Sequence, residues 1–180
     1  MFLSVLTGTF VSHDKPFLYE NRKFSSIEEH NEQIIERHNS LVLPEDTVYI
    51  LGDCGFGTDY NKVIEYIQRM NGRKFLAIGN HDTDAKIAEY RKFNLFEDIQ
   101  FAYRIRFKKY EYFLSHYPTI VSNKDDPKPV WNLHGHDHDS CIFHDYLTKN
   151  YDVCMEAHNC YPCLLDNIHN EIKERVRINV

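Results

Sequence analysis

A chain of 180 residues that is 42% hydrophobic and 14% aromatic has the apolar volume for a real core, which excludes a disordered or fibrous protein. Its 7 Gly and 6 Pro leave no room for low-complexity sequence. The formal net charge of −6 turns bulk electrostatics against nucleic acid and anionic membranes, and no apolar run approaches the ~18 residues of a membrane span. Met1-Phe2-Leu3-Ser4-Val5-Leu6 lacks the basic flank of a signal peptide and reads as a strand, so a cytoplasmic protein is expected. Five Cys without a secretion signal point to reduced thiols.

In chain order, Phe2 to Leu6 is the first strand. Ser26-Ile27-Glu28-Glu29 has capping-box spacing and opens an amphipathic helix to about Ser40, with Ile27, Ile34 and Ile35 on its apolar face. Thr47 to Leu51 is a buried strand, and Val63, Ile64, Ile67 and Met70 mark a second helix closed by Asn71-Gly72. Lys74 to Ile78 is the next strand. This alternation predicts parallel strands with helical crossovers. Phe101–Phe107 and Tyr110–Leu114 then alternate as a β-hairpin with Lys108-Lys109 near the turn. Val130–Leu133 and Tyr151–Met155 read as further strands, and Leu164 to Val176 as a closing helix. No linker divides the chain, so residues 1–180 are expected to form one α/β domain.

Four strands are followed at once by metal-binding residue types. Asp53 follows the second and Asn80-His81-Asp82 the third; His116 ends another, and His134, His136 and His138 follow Val130–Leu133. Ligands in open α/β sheets gather beyond the carboxyl ends of strands, so these residues can converge. Imidazole, carboxylate and amide oxygen together suit a divalent transition metal (Mn, Fe, Zn, Ni or Co) better than Ca or Mg. Alternate imidazoles on a regular strand point oppositely, and a bend at Gly135 is expected to aim two of them at the cluster.

Gly52-Asp53, Gly79-Asn80-His81-Asp82, Ser115-His116-Tyr117-Pro118 and Gly135-His136-Asp137-His138, in this order, resemble four of the five motifs of the calcineurin-like metallophosphoesterases. The segments Phe24–Asn31, Asp46–Tyr49 and Tyr161–Asp166 resemble the small bacterial and phage members, so the likeness spans nearly the whole chain. It implies two facing mixed β-sheets flanked by helices, a four-layer αββα sandwich. It also implies a phosphate-ester hydrolase with two metals. Asp53 would bridge both ions, Asn80, His116 and His136 would complete one site, and His138 would serve the other. His81 would be the general acid, with Asp82 orienting its ring. The substrate could be a nucleotide, a cyclic nucleotide, a sugar phosphate or a phosphoprotein; the compact chain, with no large inserted cap, favours a small phosphorylated molecule, and oligomeric state is left open.

The first motif of the family, Asp-x-His after the first strand, is missing: Gly8 and Phe10 stand at those positions, and neither can ligate. One ion is therefore expected to be held firmly and the second weakly, with His13, Asp14, His134 or Asp139 as possible substitutes. A fold-retaining binding protein with impaired catalysis is the alternative. Cys160-Tyr161-Pro162-Cys163 has redox-dithiol spacing but no second pair, and packing thiols are the simpler reading. Arg22 is a candidate substrate contact. Arg104 and Arg106 share a strand face and read as a solvated edge.

Overall fold

The structure, a computed structural model, describes residues 3–6, 16–56, 59–122, 126–128, 130–138, 140–143 and 149–178. Gly8, Phe10, His13, Asp14 and Asp139 lie outside the described residues. The elements run β1 (Leu3–Leu6), α1 (Pro16–Asn21), α2 (Ile27–Leu41), β2 (Thr47–Ile50), α3 (Tyr60–Arg69), β3 (Arg73–Ala77), α4 (Asp84–Lys92) and β4 (Asp98–Gln100). They continue with β5 (Ala102–Phe107), β6 (Tyr110–Ser115), β7 (Val130–His134), β8 (Asn150–Asp152), β9 (Cys163–Leu164) and α5 (Leu165–Ile178).

Two mixed sheets form. The first has the order β4-β3-β2-β1-β9, with β1 to β4 parallel and β9 antiparallel. The second has the order β5-β6-β7-β8, with one antiparallel hairpin and two parallel pairings. β2, and the Leu76-Ala77 end of β3, are buried on both faces and read as apolar runs. Val48, Ile50 and Leu76 face the cluster that contains Ile34 and Ile35 of α2, Val63 and Ile67 of α3, and Tyr90 of α4. Leu51 and Ala77 turn the other way, toward Tyr112, Leu114 and Leu133 of the second sheet and Leu165, Ile168 and Ile172 of α5. The expected arrangement, two facing mixed sheets flanked by helices, is the one observed. Tyr103 rivets the sheets together: its ring meets that of Tyr49 edge-on, and its hydroxyl donates to Leu76 O at 3.2 Å.

The capping signal at Ser26 works with one change of partner. Ser26 Oγ accepts from Glu29 N at 3.1 Å, but the Glu29 carboxylate returns to the backbone N–H of Ser25 rather than to that of Ser26. The hairpin closes through Lys108 and Lys109, both at positive φ. Strand β8 is shorter than the Tyr151–Met155 run. The helix α4 and the strands β4 and β9 left no periodic signal. In α4 this is because a lysine, Lys86, is among its buried residues.

Cys160 and Cys163 belong to the two different cores, which separates them as a dithiol. Burial pushes both thiols up, away from a reactive thiolate. Arg104 pairs across the hairpin with Glu111. No described helix is long and apolar enough to cross a membrane.

His38 ties α2 to the turn before β3. Its Nε2–H donates to Asn71 O at 2.9 Å, while Nδ1 is buried without a partner. A proton on Nδ1 would be an unpaired buried charge, and burial accordingly holds the pKa down to about 4, below the ordinary 6.5. The folded value lies below the unfolded one, so the unfolded chain takes up a proton that the folded chain refuses, and stability falls as pH drops from about 6.5 toward 4. Urea denaturation is expected to show His38→Gln losing about 2 kcal/mol less than the parent between pH 7.5 and pH 5. Equal losses would contradict this.

Candidate metal centre

The site lies where β2, β3, β6 and β7 all end. Beyond β2 the chain turns through Gly52 (φ +84°) and places Asp53 at φ +55°, in the left-handed region. Two glycines let the loops after β2 and β3 touch. A Cβ on Gly52 would stand 2.6 Å from Gly79 Cα and from His116 Nδ1, and one on Gly79 would stand 2.4 Å from Asp53 Oδ1 and 2.6 Å from Asp53 N. Only hydrogen fits between these segments.

Asp82 locks this arrangement. Its Oδ2 accepts from Asp53 N (2.8 Å) and Gly79 N (3.0 Å), and its Oδ1 from Cys54 N (3.1 Å). The role expected for Asp82, orienting the His81 ring, is therefore not the one its hydrogen bonds show: both oxygens are engaged by backbone amides of the two loops. His81 is fixed through its backbone instead. Its N–H donates to Asp53 Oδ1 (2.8 Å), its carbonyl accepts from Lys86 Nζ (2.9 Å), and its ring meets Phe56 edge-on at 4.9 Å. Lys86 also donates to Gly55 O (2.6 Å), joining the two loops a second time.

His116 is the centre of the cluster. Its Nδ1 lies 2.8 Å from Leu51 O, and a carbonyl can only accept, so Nδ1 carries the proton and the neutral ring has a bare Nε2. That nitrogen faces Asn80 Oδ1 at 2.8 Å, His136 Nδ1 at 3.1 Å and Asp53 Oδ2 at 3.4 Å. All four are lone-pair atoms. One proton can serve only one of the three contacts, whereas a cation among them serves all four, so this donor set fits a divalent metal. His136 is half-buried, and burial together with the neighbouring His116 ring holds its pKa below the ordinary value, favouring the neutral ligand form.

Of the imidazoles after β7, one reaches this cluster, where two were expected. The bend is made by His136 (φ +75°) and His138 (φ +50°) rather than by Gly135. His134 is fully buried, donates from Nδ1 to Gly135 O (3.0 Å) and groups with Asp137 and Asp152 instead. His138 turns to Glu156, with Nδ1 3.2 Å from Oε1.

Glu156 gave no sequence signal as a site residue. It accepts from Arg22 Nε (2.9 Å) and Nη2 (2.6 Å), and Arg22 Nη1 donates to His30 Nε2 (2.9 Å), whose Nδ1 meets Asn31 Oδ1 at 3.1 Å. Burial alone would raise the Glu156 pKa, but His138 and Arg22 hold it down to about 2. The brace thus runs from α2 to His138. Beside it opens a cavity of about 680 Å³, lined among others by Lys23, Arg37, His138, Glu156 and Tyr161.

The sequence matches the calcineurin-like phosphoesterases, described as Metallophos, over residues 13–175. The chain belongs to this family. It is 31% identical to the uncharacterized protein MJ1445 of Methanocaldococcus jannaschii over 171 residues, covering 91% of this chain and 87% of that protein. It is 30% identical to the Gene 66 protein of Mycobacterium phage L5 over 147 residues, covering 68% and 71%. Among solved structures, the protein of unknown function AQ665 from Aquifex aeolicus shares the fold at a TM-score of 0.69 and 19% identity, covering 94% of this chain and 98% of that one.

For this calcineurin-like phosphoesterase, the close approach of Gly52 and Gly79 makes a direct prediction. Gly79→Ala forces its methyl group into backbone and carboxylate atoms of Asp53, overpacking that costs about 1–3 kcal/mol. Urea denaturation and metal analysis are expected to show this loss together with weaker metal retention. Unchanged stability and metal content would contradict it.

Proposed function

We propose that the chain hydrolyses a phosphate ester of a small molecule, using one firmly held divalent ion from the transition series. The observation that carries this reading is the set of four lone-pair atoms from Asp53, Asn80, His116 and His136, with His81 beside it. Bound there, such a metal supplies Lewis-acid stabilisation of phosphoryl oxygens and acidifies a water molecule.

The side chains divide the remaining work. Asp53 directs Oδ2 into the cluster and spends Oδ1 on the His81 N–H, so one carboxylate sets the spacing between the cation site and the proposed acid. His81 protonates the departing alkoxide, which makes a neutral alcohol of a poor leaving group. Phe56 packs against its ring and Lys86 holds its carbonyl. Asn80 supplies a neutral oxygen ligand from the residue before it.

The proposal of one firm ion rests on the sequence at Gly8 and Phe10 and on the pairing of His138 with Glu156. Those same two residues motivate the second reading, a family member that kept the fold and lost turnover.

Two variants test the first reading against the second. Asp53→Asn is expected to lose the bound metal and hydrolysis together. His81→Ala is expected to keep the metal and slow hydrolysis of alkyl phosphate mono- and diesters, whose alkoxide leaving groups need a proton, by about 10²–10⁴-fold. Metal content by mass spectrometry after gel filtration, with turnover of both esters, provides the readout. No turnover by the metal-loaded parent, or full turnover by His81→Ala, would contradict the proposal.

A further inference from the structure

The cavity beside His138 holds more cationic charge than its own carboxylates use. Arg22 is fully committed in this respect: its Nε and Nη2 serve Glu156 and its Nη1 serves His30. Glu156 in turn is shared by Arg22 and His138. Arg37 and Lys23, which line the same cavity, have no carboxylate partner among the described residues.

Arg37 is nevertheless held in place. Its guanidinium carbon lies 5.2 Å from the ring centroid of Phe24 and 5.2 Å from that of Tyr161. Its Nη1 donates to Asn159 O at 2.8 Å. Two aromatic rings and a carbonyl thus fix the group while leaving most of its five N–H donors unused. A guanidinium fixed in this way forms a charge-assisted pair with little further loss of side-chain freedom. Its planar fork matches carboxylate and phosphate oxygens. Lys23 adds a second cation at the rim: it is exposed and sits at φ +64° in the turn before α2.

The cavity begins at Asp137 and His138, the two residues that follow His136 of the metal cluster, and Lys23 and Arg37 lie along its wall. We propose that Arg37, assisted by Lys23, binds a second anionic group of the substrate, so that this chain prefers small phosphate esters carrying two separate anions. Tyr161, partly exposed at the same wall, presents an aromatic ring to the organic portion of such a substrate. This inference rests on the phosphoesterase reading and adds to it the chemical class of the substrate.

The test uses ligands that cannot be hydrolysed. Alkylphosphonates of two to six carbons are titrated calorimetrically into the metal-loaded protein, each beside the chain of equal length that ends in a carboxylate. At the matching length the carboxylate is expected to improve affinity roughly 10- to 100-fold, the range of a charge-assisted hydrogen bond. Arg37→Met, which keeps an unbranched stem between the rings, removes that gain and leaves the plain phosphonate unaffected. Arg37→Lys retains part of it, and Lys23→Met loses a smaller part. Thermal melts of each variant confirm a folded protein.

Equal affinity for both ligands at every length, or a gain that survives Arg37→Met, would overturn the second-anion site while leaving the phosphoesterase reading intact. Failure of every phosphonate to bind the metal-loaded protein would overturn both readings.

Discussion

Four acceptor atoms held within a few ångströms of one another form the constraint on which the rest of this structure depends. Asp53 Oδ2, Asn80 Oδ1, His116 Nε2 and His136 Nδ1 repel one another unless positive charge lies between them. The protein holds them together through features that cost stability locally: Asp53 and His136 at positive φ, two glycines in backbone contact, and a buried aspartate accepting three amides. Together they hold in one place a set of donor atoms of the kind a divalent cation takes. The backbone bond from Leu51 O to His116 Nδ1 is the most economical of them, since it links the two sheets and selects the tautomer in one contact.

The two cores supply the rigidity that this cluster needs. Alternating side chains of β2 and β3 bury into opposite clusters, so neither strand can slip by one residue without exchanging its faces. The strand ends that carry Asp53 and Asn80 are thereby fixed from both sides. Around them sits a second ring of polar braces. Lys86 fastens the His81 loop, and the path Asn31–His30–Arg22–Glu156 ends on His138. His138 is thus held outside the four-atom cluster.

Much of this was legible in the sequence because it follows from local pattern. The buried strands, the Ser26 cap, the Lys108-Lys109 turn and the ligand types at four strand ends are all short-range signals. The elements without a sequence signal lack a hydrophobic period, for two reasons. In α4 the buried Lys86 interrupts the apolar stripe, and β4 and β9 are too short to show a period. The hydrogen bonds of Asp82 are long-range: the fold brings the amides of Asp53 and Cys54 to it from 29 and 28 residues away, which its nearness in sequence to His81 does not reveal. Glu156 was invisible for the same cause, since its partners Arg22 and His138 lie 134 and 18 residues distant. Its value emerges only when three elements meet.

The proposed hydrolysis depends on these four atoms being the inner ligands of one ion. Anomalous diffraction at the metal edge, from crystals grown with manganese and washed free of excess, tests it most directly. A single strong peak is expected ~2.0–2.3 Å from each of Asp53 Oδ2, Asn80 Oδ1, His116 Nε2 and His136 Nδ1, in the range of first-row metal bonds to oxygen and nitrogen. A peak that instead sits with His134, Asp137 and Asp152, or the absence of any bound ion from a folded protein, would contradict it.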